Sequence, residues 1–120
     1  NRAFVVNVAN PVSYIAQKLI VMPTRSAKDR AKDLLYIHDT VELYGARLHE
    51  LHRLWTEIIR PHIGTDTHVV TSQLRKYFNG TNDDVRRAAL VAGGRNLKPE
   101  TLRLRCEMAL DQVFADKAGD

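Results

Sequence analysis

KLIVMPTRSAKDRAKDLLYIHDT, residues 18–40, decides the fold class, because its apolar residues recur at helical spacing on either side of a single break. Pro23 makes the break: it lacks the N–H that a continuing helix needs. Upstream of it, Asn10 and Pro11 are a cap and a first-turn residue, and Val12, Ile15, Ala16, Leu19, Ile20 and Met22 form one apolar face. Downstream, a second helix is expected from about Ser26 to Gly45, with Ala31, Leu34, Leu35, Ile37 and Val41 on one side.

The same period continues through the rest of the chain. A third helix is expected from about Ala46 to Arg60, stopping before Pro61, with Leu48, Leu51, Leu54, Trp55, Ile58 and Ile59 facing inward. A shorter fourth lies within Thr65 to Asn79, although its β-branched start, Val69 and Val70, is a poor helix former. Asn82 or Thr81 caps a fifth, Asp83 to Ala92, which Gly93 and Gly94 terminate, and Pro99 opens the last, carrying Leu102, Cys106, Ala109, Leu110, Val113 and Phe114. The expectation is a single all-α domain over residues 1–120, a bundle of five to six helices with a short N-terminal extended strand. That strand, AFVVNV at Ala3 to Val8, has no second strand in the chain to pair with. Residues 1–9 therefore read as the stub of an upstream domain, with a homodimer partner strand as the alternative. The lack of an initiator methionine agrees with a fragment, and processing of the chain would produce the same start.

The charge balance sets further bounds. Eighteen basic and 14 acidic side chains leave +4, and both signs are interspersed, so no concentrated basic patch of the kind nucleic-acid binders show is present. The single cysteine, Cys106, sits at helical spacing from Leu102, Ala109 and Leu110, which suits a small core side chain in the reducing cytoplasm. The apolar runs are too short to span a bilayer, so no membrane contact is expected.

On the wheel of the second helix, Lys28, Lys32, Tyr36 and Asp39 fall opposite the apolar side, flanked by Asp29, Asp33 and Thr40. Charge pattern alone favours a solvated face with weak surface ion pairs. A second reading is that Lys18 and Arg25, from the preceding helix and turn, converge on this region and make a cradle for a triphosphate.

These residues also carry a family likeness. An extended stretch, Asn10-Pro11, a helix with Lys18, Arg25 about two turns on, and Lys32-Asp33 opening a helix with Tyr36 together resemble the C-terminal helical half of nucleotidyltransferase-fold proteins. The likeness is greatest to the toxin nucleotidyltransferases of abortive-infection systems and their bacterial relatives, and it covers roughly the first 40 residues. It implies an upstream sheet domain with a Gly-Ser loop and an Asp-x-Asp pair, Mg²⁺ and NTP in the full-length protein, and a nucleic-acid acceptor as one class of substrate. It also implies that Lys18 contacts phosphate, that Asp33 orients that lysine or the nucleotide, and that Arg25 and Lys32 are supporting cations. Lys32 stands where the family's Arg-Asp-x-Tyr-Asp pattern has arginine, and no aspartate follows Tyr36. The carboxylates that would hold Mg²⁺ are not supplied by this chain, so it would be inactive alone.

Other chemistries fit less well. His49 and His52 are three apart, whereas a zinc helix places histidines at i and i+4 with a further ligand. His38 falls on the apolar side and reads as a hydrogen-bonded core residue; Trp55 and Phe78 also read as core. Cys106 has neither a nearby base nor a basic helix start to activate it. The competing function is an all-α binding module for nucleic acid or an acidic protein partner, through Arg86, Arg87, Arg95, Arg103 and Arg105. Those arginines form no continuous stripe: Arg86 and Arg87 point apart, as do Arg103 and Arg105.

Overall fold

The computed structural model describes residues 10–115, so the extended stretch expected at Ala3 to Val8 lies outside the described residues. Six helices build the described part of the chain, and none of its residues forms a strand. Helix α1 is Pro11–Val21; the Asn10 side chain accepts from the amides of Val12 at 2.9 Å and Ser13 at 3.3 Å, satisfying donors that a helix start leaves open. A 3-10 turn, Met22–Thr24, takes up Pro23, and Arg25 follows in an extended conformation. Helix α2, Ala27–Leu43, starts at Ser26, whose Oγ accepts from the Asp29 amide at 3.2 Å.

Helix α3 occupies residues 48–63 and departs from the expected stop at Pro61. It is assembled from Leu48–Leu54, a π-helical turn Trp55–Ile59, and Arg60–Ile63. Pro61 cannot donate to the Glu57 carbonyl, and its ring would press on that carbonyl in a regular turn. The π turn opens the backbone at this point, with the Arg60 amide bonded to Trp55 O five residues back. One extra residue in the turn also keeps Leu51, Trp55 and Ile59 on the buried face and turns Ile58 outward, 49% exposed. The sequence pattern had placed Ile58 inside.

Helix α4 is Asp66–Tyr77, α5 is Asp83–Ala92 and α6 is Pro99–Val113. Asn82 caps α5 by accepting from the Val85 amide at 2.9 Å, and its own amide donates to Tyr77 O at 3.2 Å, which ties the start of α5 to the end of α4. Gly93 ends α5 at φ +61°, a conformation that an L side chain resists.

Side-chain pairs fix how the helices lie. Tyr14 faces Tyr36, and Lys18 faces Asp33, so α1 and α2 are antiparallel neighbours. Arg30 meets Asp84 near the start of α5, and Asp39 meets Arg95 just beyond its end, so α2 and α5 run side by side in the same direction. Trp55 and Phe114 pack edge to face, centroids 4.7 Å apart, joining α3 to the end of α6. The two are buried together with Ile15, Leu34, Ile37 and Leu110. Replacing Trp55 by alanine should therefore cost about 3–5 kcal/mol in urea unfolding, whereas Ile58→Ala should stay within about 0.5 kcal/mol.

Candidate functional site

Asp33 is the centre of the candidate site. It lies in the second turn of α2 on the flank that α1 covers, and only 1% of its surface meets water. The wheel had put it beside the solvated face; the correction comes from the neighbouring helix, which closes over that flank. A carboxylate so placed must be paired. Lys18 Nζ, from the last turn of α1, lies 3.1 Å from Oδ1, while Arg25 donates from Nε to Oδ2 at 2.9 Å and from Nη2 to Oδ1 at 3.3 Å. Arg25 can reach because the 3-10 turn and its own extended backbone fold the α1–α2 connection back over the helix start. Its guanidinium is held above the ordinary arginine value, first by the hydrogen bond to Asp33 and then by the charge of that carboxylate. Both cations keep part of their side chains in water.

The expected convergence is thus present for three of the four residues. The fourth, Lys32, is exposed on α2 and lines a shallow groove of about 450 Å³ with Leu35, Tyr36, Asp39 and Val91. Leu35 had been grouped with the core residues, but it is one residue past buried Leu34 and so about 100° round the helix, which half exposes it. Tyr36 joins the two parts of the site. Its ring meets Tyr14 edge-on at 6.3 Å, and Lys18 lies over the Tyr14 ring at 5.3 Å. Tyr14 went unnoticed in the sequence, although its spacing of four from Lys18 is a signal. Val91 went unnoticed too, and no local pattern points to it.

A second polar cluster closes the far end of the groove. Arg95 donates to both oxygens of Asp39, at 2.7 and 3.0 Å. Buried His38 sits between Asp39 Oδ1, 3.0 Å from Nδ1, and Arg105, 3.4 Å from Nε2. Arginine only donates, so Nε2 is the acceptor and Nδ1 carries the proton. His38 is therefore the hydrogen-bonded core histidine that its wheel position implied. The hydrogen bonds from Arg95 hold the Asp39 carboxyl below its ordinary range against a smaller desolvation effect, and His38 adds to them. Asp39 thus has two partners within this cluster, Arg95 and His38.

Cys106 is buried beside the same cluster, and burial above all pushes its thiol far up, away from any nucleophile role. His52 Nδ1 lies 3.1 Å from Val113 O and closes the end of α6. Among the described residues no group of three or more His, Cys, Asp or Glu side chains is placed to hold a metal ion. Asp33, the one buried carboxylate among the described residues, gives both oxygens to cations, so the described residues do not fit Mg²⁺.

Family models, curated proteins and solved structures were all compared with this chain, and none matches it. Among the described residues no helix is long and apolar enough to cross a membrane.

The depressed Asp39 predicts a pH effect. A carboxylate with a lowered folded-state pKa stabilises above its unfolded value, about 3.9, and the stabilisation is lost as pH falls through the folded value. Arg95→Gln should therefore lower stability near neutrality and flatten its decline below about pH 4, read from urea midpoints between pH 7 and pH 3.

Proposed function

We propose that this chain is the helical, nucleotide-contacting half of a nucleotidyltransferase. Lys18 and Arg25 meet the phosphates of an NTP, Lys32 adds a third cation, and Asp33 holds the first two in place. The observation that supports the reading is the convergence of Lys18 and Arg25 on one buried carboxylate. Two cations locked by a shared counter-ion are pre-organised for an anion, and each keeps part of its side chain toward solvent. Lys18 and Arg25 together carry one more charge than Asp33, and Lys32 is its neighbour in the chain on the exposed side of α2. Mg²⁺ belongs, in this reading, to carboxylates of an upstream sheet domain, with a nucleic-acid acceptor as one class of substrate, and the setting is the cytoplasm.

The competing reading, a basic surface for nucleic acid or an acidic protein, draws less support. Arg86 is paired with Asp83, Arg95 with Asp39, Arg103 with Glu100 and Glu107, and Arg105 with Glu42. Each of these arginines is matched by at least one carboxylate of its own, whereas Lys18 and Arg25 share a single one.

Lys18→Ala is the informative change, because Arg25 still satisfies Asp33 and the core is untouched. In protein that carries the sheet domain, transfer from a labelled NTP with Mg²⁺ should fall on the order of 100-fold, with little change in Tm. Wild-type transfer by that variant would overturn the site. Robust transfer by residues 1–120 alone would overturn the division of labour.

A further inference from the structure

Arg25 is held at two places, and only one of them is the carboxylate already described. Its side chain reaches Asp33, and its backbone carbonyl accepts from Arg30 Nη1 at 2.8 Å. The same Arg30 guanidinium donates from Nε to Asp84 Oδ1 at 3.1 Å, 54 residues further along the chain. The side chains of Arg30 and Asp84 are only 23% and 18% exposed, so this link is largely withdrawn from water, unlike a loose surface pair. Asp84 is a firm anchor: it lies in the first turn of α5, where a helix start favours a carboxylate and where Asn82 caps the helix. Arg25, by contrast, lies between two helices in an extended conformation, so its orientation depends on what its carbonyl binds.

We infer that Arg30 is a positioning residue for the phosphate site: anchored on Asp84, it fixes the backbone of Arg25 so that the Arg25 guanidinium stays on Asp33 beside Lys18, which couples the site to the start of α5. The inference rests on the phosphate reading above and adds what holds that site and what loosens it. The charges around the link are mixed. Asp29, in the first turn of α2, also acts on Arg25 through its charge, Asp83 is matched by Arg86, and Lys28 and Arg87 are exposed on the same two helices. Electrostatics alone therefore makes a definite prediction for Asp84: removing a negative charge here, and freeing Arg30 from it, should strengthen the attraction for an anion. A positioning role predicts the opposite sign, because a freed Arg30 lets Arg25 leave the geometry in which two cations converge.

The test is calorimetric titration of the chain, in EDTA, with inorganic tripolyphosphate as the anion probe. Asp84→Asn should bind it about fivefold more weakly than the wild type, the low end of coupling between linked sites, and Asp84→Glu, which keeps the carboxylate, should recover most of the loss. The NMR signal of the Arg25 Nε–H group reports the positioning itself. In Asp84→Asn it should exchange faster with water, while the indole signal of Trp55, in the core, keeps its wild-type exchange. Equal or tighter tripolyphosphate binding by Asp84→Asn, or an unchanged Arg25 signal, would overturn the positioning role and leave the phosphate site standing. Faster exchange at Arg25 and Trp55 alike would mark a general loss of stability and overturn it as well. No binding by the wild type would overturn the phosphate reading and this inference with it.

Discussion

A carboxylate almost out of contact with water has to be met by cations, and in this protein Asp33 is that carboxylate. Meeting it fixes the angle at which the chain turns between α1 and α2, since Lys18 comes from one side of the turn and Arg25 from its exit. The tie extends further. Arg30, three residues before Asp33, donates to the Arg25 carbonyl at 2.8 Å and to Asp84 at 3.1 Å, so the α1–α2 turn is bound in its turn to the start of α5. Hydrophobic burial supplies most of the stabilisation of such a bundle but is non-directional. The charged links are directional, and they select which helix face meets which.

That structural duty bears on how the functional reading should be judged. A surface ion pair contributes little, whereas a buried carboxylate stripped of its partners is strongly unfavourable, so Lys18 and Arg25 have a reason to be where they are without any ligand. Arg25 reaches both oxygens of Asp33, and Lys18 is a second partner of Oδ1. Lys18 adds a second cation to that pairing, lies over the Tyr14 ring, and through it adjoins the exposed ring of Tyr36.

Most of the helix limits were legible in the sequence because they are decided locally. Asn10 with Pro11, Ser26, Asn82 and Pro99 each act within one turn of themselves, and each marks the start of a helix. What the sequence could not convey depends on a second element. The period of α2 puts Asp33 on a flank, but only the approach of α1 makes that flank interior. Pro61 looked like a stop because the π turn that accommodates it leaves no mark in composition. The same turn reverses the expected side of Ile58. Lys18, Arg25 and Asp33 could be grouped in advance, since a short turn forces α1 and α2 to be neighbours. Val91 could not, because it reaches Tyr36 only through the packing of two helices separated by α3 and α4.

That packing has an electrostatic consequence. Parallel neighbours bring two helix N-termini, and so two positive dipole ends, to the same end of the molecule. Acidic residues in the first turns, Asp29 in α2 and Asp83 and Asp84 in α5, offset this, and Arg30 binds Asp84 across the pair. Lys28, Lys32 and Arg87 are exposed at that end, among Asp29, Asp83 and Asp84. Exposed charges are screened over about 8 Å at physiological salt, whereas the buried Asp33 cluster is screened much less. High salt should therefore weaken the exposed charges of this surface more than the Asp33 pairing that sets the α1–α2 turn.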